Sequence, residues 1–143
     1  FKTHIWGIFE NSGGVLLHAA PSDLDAIDRL QRWFLRELHS NEIFAFLEHN
    51  FAPPTLRRDI GLLGLIHKRV LVLAHPAFND LFPWANVETE LGHSEQFYNH
   101  AGEYKFRRVR FFRSIFGLVN VYNKLSQFII NCDTGQKFQK EVT

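Results

Sequence analysis

The residues with chemistry to offer are carboxylates, histidines, hydroxyls and arginines, and their spacing decides which could act together. Metal-assisted phosphoryl transfer needs acids converging on a pair of cations. Asp23, Asp25 and Asp28 form the tightest acidic cluster, but they fall in the first turns of a helix, where capping and the helix dipole account for them. The eight histidines include no pair on one helix face with a glutamate between, and His93 and His100 lie in a polar segment without cysteine partners. No zinc site is expected from them. Ser114 and Ser126 lack a glycine-framed elbow and read as structural, and Gly13-Gly14, Gly61, Gly64 and Gly117 lack the spacing of a phosphate loop. The single Cys132 has no partner for a disulfide or thiolate site and reads as a buried bystander. No catalytic residue, metal ligand or cofactor is therefore assigned to this chain.

Basic residues carry the remaining chemistry. The segment Phe51 to Ala74 is a long amphipathic helix announced by Pro53-Pro54, with Thr55 as N-cap and Leu56, Ile60, Leu63, Ile66, Val70 and Leu73 on one side. At about 100° per residue, Arg57, Gly61, Gly64 and Lys68 fall on the opposite side, flanked by Arg58 and Arg69. Each interior glycine costs roughly 1 kcal/mol relative to alanine, so keeping both implies that something approaches the backbone closely. That neighbour is either another helix or a nucleic-acid backbone, for which arginines and lysines around a bare strip are suited. A second basic stretch, Lys105 to Arg113, interleaves Arg107, Arg108 and Arg110 with Phe106, Phe111 and Phe112. It reads either as stacking rings beside phosphate-binding arginines or as core anchors with arginines reaching into water.

The elements that must position these groups are helices. With 143 residues, 45% hydrophobic content and fifteen phenylalanines, one domain with a bulky core is expected. A formal net charge of +1 is too small to announce a partner by itself. Phe1 to Glu10 reads as the last turns of a helix, stopped by Asn11 to Gly14. Pro21-Ser22-Asp23 opens the next, capped by Ser22 or Asp23, with Leu24, Ile27, Leu30, Phe34, Leu35 and Leu38 as its buried stripe. Ser40 caps a short helix carrying Ile43, Phe46 and Leu47. His75-Pro76 restarts a turn through Phe82, and Trp84 to Tyr104 reads as a long polar loop. Helical spacing returns from Arg108 to Leu125, and Asp133 or Thr134 caps a last helix with Phe138 and Val142. The class is all-α: a single small domain of about five or six helices with a long polar loop. Its organisation is a helical region over 1–83, the loop over 84–104, and a C-terminal helical segment over 105–143 packing on the same core. No apolar run approaches the ~20 residues of a membrane-spanning helix, and the first residues lack the pattern of a secretory leader, so no membrane partner is expected. The absence of methionine, including at position 1, reads as a piece of a longer reading frame.

Several segments in order carry a resemblance: LDAIDRLQRWFLR from Leu24, FAFLEHNFAPPTLRRDIGLLGLIHKR from Phe44, LAHPAFNDLFP, and RSIFGLVNVYNKL from Arg113. Together these resemble the thumb or post-polymerase region of reverse transcriptases of non-LTR (LINE, jockey-like) retrotransposons. Pro53, Pro54, Leu56, Arg57 and Arg58 stand at the family's apolar-Pro-Leu-x-x-Arg-Arg segment, with Pro54 at a position the family usually fills with a leucine-like residue. The resemblance implies a parent RNA-directed DNA polymerase whose two-aspartate motif, and the magnesium it would hold, lie outside this chain. It further implies an intracellular setting, nucleus or cytoplasm, and contact with RNA or an RNA–DNA duplex and with the upstream polymerase domain. On that reading Arg57, Arg58, Lys68, Arg69, Arg107, Arg108 and Arg110 face nucleic acid, and Gly61 and Gly64 allow its close approach. The competing expectation is a helical interaction module, descended from such an element, that packs on a protein.

Overall fold

The computed structural model describes residues 2–8, 19–86, 93–100, 111 and 113–143. After a π-helical segment Lys2–Trp6 come α1 (Pro21–Glu37), α2 (Glu42–His49), α3 (Pro54–Val70), α4 (Phe78–Leu81), α5 (Ile115–Tyr122), α6 (Gln127–Ile130) and α7 (Gly135–Val142). Among the described residues there is no strand, and one isolated antiparallel bridge joins Trp84 to Phe97. The fold is all-α, and among the described residues the single turns α4 and α6 add to the longer helices.

Helix α3 is the axis on which the others pack, touching α1, α5 and α7. It starts at Pro54, with Pro53 as a cap that offers no side chain; Thr55 is not the cap. The orphan N–H of Thr55 is satisfied from a distance. Asp28 of α1 accepts it at 3.1 Å and accepts the Thr55 hydroxyl at 2.5 Å, so a carboxylate sits at the positive end of the helix dipole. At its other end α3 closes with Val72 at φ 58° and the Leu73 N–H on the Lys68 carbonyl at 2.9 Å. This is the wrapped helix ending usually given to glycine.

Helix α1 begins at Pro21 with Ala20 in the cap position, because proline at the first helical position needs no N–H partner. Neither Ser22 nor Asp23 caps it. Its buried residues are Leu24, Gln31 and Leu35, whereas Leu30 and Leu38 are exposed. The buried glutamine replaces apolar filling with hydrogen bonds: Trp6 Nε1 donates to Gln31 Oε1 at 2.9 Å, and Gln31 Nε2 donates to the carbonyls of Phe51 and Ala52 at 3.0 and 3.2 Å. Asn41, one residue after the expected Ser40, caps α2 through the N–H groups of Ile43 and Phe44. Thr134 caps α7 as expected, accepting from the Lys137 N–H at 3.2 Å.

The main core combines Leu62, Leu63 and Ile66 of α3 with Phe82, Phe97, Ile115, Leu118, Val119, Tyr122, Ile130 and Phe138. At its centre lies His67, fully buried. Its Nε2 is 2.9 Å from the Cys132 carbonyl and its Nδ1 is 2.9 Å from the Tyr122 hydroxyl. A carbonyl only accepts, so Nε2 carries the proton and Tyr122 donates to Nδ1. The ring stacks on Phe138 at 4.2 Å between centroids. Cys132 itself is half-buried and contributes its backbone. Of the segment expected as a polar loop, the described residues 84–86 and 93–100 are drawn into this core as well. Phe97 is buried, the Ala85 and Tyr98 N–H groups donate to the Gln96 and Pro83 carbonyls, and His93 donates from Nε2 to the Tyr122 carbonyl at 3.0 Å.

Burial pushes the pKa of both histidines below the ordinary 6.5, and it pushes the Tyr122 hydroxyl upward. A histidine whose folded pKa is depressed contributes stability that is complete above its unfolded value and declines as pH falls through the folded one. Urea unfolding is therefore expected to show a lower midpoint at pH 5 than at pH 7.5. His67→Leu should lower stability by about 2–3 kcal/mol, because the Cys132 carbonyl and Tyr122 hydroxyl lose their partner, and should flatten the acid-side slope. An unaltered slope would remove His67 from this role.

Candidate nucleic-acid interface

The cations of α3 do not share one open face. Only Lys68 among them is exposed. The Arg58 side chain is 6% exposed, donating to Asp59 Oδ1 at 2.5 Å and to the Arg113 carbonyl at 2.8 Å. Burial outweighs the neighbouring guanidinium at Asp59 and pushes its carboxyl above the usual range. Arg57 lies 4.1 Å over the Trp6 ring and Arg69 lies 4.7 Å over the Trp84 ring. Both are half-buried. A guanidinium over an aromatic ring is attracted by the negative face of the ring. Arg69 Nε is buried and has no hydrogen-bond partner among the described residues, and neither Lys68 nor Arg69 forms an ion pair with them.

The two glycines part company. Gly64, expected on the open side, is buried, and a Cβ there would sit 2.6 Å from Gln139 Nε2 of α7. The close neighbour at this position is a helix. The reason is that α3 packs on more than one side, so a single apolar stripe underestimates its covered surface. Gly61 is exposed, with nothing within 4 Å of an added Cβ. Arg107, Arg108 and Arg110 lie outside the described residues.

The acids and histidines are dispersed. Asp28 serves the start of α3, and Asp25 pairs with Arg113 at 3.4 Å. His93 and His100 contact Tyr122 and Phe116 edge-on. Among the described residues no group of three or more His, Cys, Asp or Glu is placed to hold a metal ion, and no helix is long and apolar enough to cross a membrane. Comparison with protein-family models, curated proteins and solved structures finds no match.

A basic surface that the sequence reading misses lies on α1, where Arg29, Arg32, Trp33 and Arg36 are all exposed. Their i, i+3, i+4, i+7 spacing is the available signal, masked by the leucines between them.

Two stability measurements separate structural cations and glycines from surface ones. Arg58→Ala should cost about 2–3 kcal/mol by urea unfolding, since it leaves a partly buried carboxylate alone, while Lys68→Ala should stay within about 0.5 kcal/mol of the parent. Gly61→Ala should stabilise by roughly 0.5–1 kcal/mol through helix propensity, and Gly64→Ala should gain nothing because Gln139 must move aside. Equal gains at both glycines would contradict the packing of α7 on α3.

Proposed function

We propose that this chain is a non-catalytic helical region of a reverse transcriptase of the non-LTR retrotransposon type, contacting template–primer nucleic acid through the C-terminal end of α3. The observation that carries the reading is the pair Lys68 and Arg69. One cation stands in water, the other lies over the Trp84 ring, and neither forms an ion pair with the described residues. Cations left unneutralised at a helix C-terminus are favoured by the helix dipole and available to phosphates. The sequence resemblance supplies the polymerase context, and the helical fold is compatible with it. Arg57 lies over Trp6 at the other end of the helix, and Arg58 acts within the fold.

A protein-docking module is the second reading, favoured by α2. Ile43, Phe44 and Leu47 are 69%, 54% and 70% exposed, and apolar side chains grouped in this way suit a partner surface. Salt dependence separates the two. The 143-residue chain is expected to bind an RNA–DNA duplex with an affinity that falls steeply as salt rises. Lys68→Ala should reduce the log–log slope by about 1, the share of one phosphate contact. Binding that is absent, or indifferent to salt, would overturn the nucleic-acid reading and favour the docking module.

A further inference from the structure

We infer that the outward face of α1 is a second nucleic-acid contact, built for a single strand, with Trp33 as a stacking platform and Arg29, Arg32 and Arg36 as phosphate ligands. The inference rests on the nucleic-acid reading of α3 and extends it to another element and to a strand with unpaired bases. At about 100° per residue, Trp33 points opposite the mean direction of the buried Leu24, Gln31 and Leu35. It is 58% exposed and has no ring or hydrogen-bond partner among the described residues. Arg29 lies one turn before it, Arg36 one turn after and Arg32 beside it, over roughly 10 Å of helix at 1.5 Å per residue. All are exposed and none forms an ion pair with the described residues.

An ordinary solvated helix face neutralises its arginines with acids four residues away. Here the acids at that spacing are diverted. Asp25, four before Arg29, is turned to Arg113 at 3.4 Å. Asp28, four before Arg32, is spent on the Thr55 N–H and hydroxyl at 3.1 and 2.5 Å. The residue four before Arg36 is Arg32 itself, and Glu37 stands at the helix end, toward the side occupied by Leu30. Every cation of α1 is arginine, whose planar donor fork matches phosphate oxygens better than an ammonium. A ring carried on a convex helix surface can meet a base face only where bases are not enclosed in a duplex, which selects a single strand.

The test is fluorescence anisotropy of labelled oligouridine, oligothymidine and a blunt RNA–DNA duplex with the full chain and four variants of it. Trp33→Ala should weaken the oligonucleotide arms by about tenfold, with Trp33→Phe restoring most of the affinity because it keeps a ring. The triple variant Arg29→Ala, Arg32→Ala, Arg36→Ala should lower the single-strand salt slope by about 2, close to 0.7 per arginine removed. These side chains face water, so circular dichroism is expected to be unchanged. Should the α1 variants bind single strands like the parent while Lys68→Ala still weakens the duplex, the α1 inference fails alone and the arginine row belongs to a protein partner. If the parent binds neither strand nor duplex, the functional reading fails with it.

Discussion

The buried imidazole of His67 is the constraint on which the rest of the core depends. It projects from α3 and bonds to the side chain of α5 and to the backbone between α6 and α7, while its face lies against Phe138. A neutral histidine has one donor and one acceptor, and both are matched here inside a site closed to water. The arrangement fixes which edge of α3 faces the C-terminal helices. Tyr122 extends it, because the same residue that donates to His67 accepts from His93 through its carbonyl. Two uncharged histidines thus bracket one tyrosine, and the polar segment carrying His93 is held down as part of the core.

Once that edge is fixed, the roles of the α3 cations are set by it. Gly64 must face Gln139, and Arg58 turns toward Asp59 and the Arg113 carbonyl. Arg57 and Arg69 settle on tryptophans contributed by residues far away in sequence. A helix covered on several sides has little perimeter left, so charged residues near its seams become structural. The free positive charge is displaced outward, to Lys68 and to the far side of α1. The two candidate contact surfaces are therefore consequences of packing as much as of residue type.

Much of the helical order is legible in the sequence. Prolines at 21 and 53–54, the Thr134 cap and the apolar spacing in α3 and α5 locate the main elements, because these signals are local. What escapes is non-local. The cap of α3 comes from Asp28, 27 residues earlier, and no local rule identifies it. His67 sits four residues after Leu63 and beside Ile66, at the edge of the apolar stripe, but its polar type hides its burial. Periodicity points Leu30 and Leu38 inward, while Gln31 holds that place through hydrogen bonds to the N-terminal segment and the α2–α3 link. For the candidate interface, cation positions are readable, but the diversion of Asp25 and Asp28 away from the arginines of α1 exists only in three dimensions.

Val72 ties the end of α3 to the chain beyond it. A β-branched residue with φ of 58° occupies a conformation its side chain disfavours, and it is 83% exposed, so no burial of its own compensates. The turn keeps this shape because the next segment is fastened elsewhere, by Trp84 stacked on Phe97 at 4.6 Å and by Arg69 above Trp84. Phe82 of the same segment is buried in the main core, so a strained, exposed turn is bracketed by α3 on one side and by buried aromatic rings on the other.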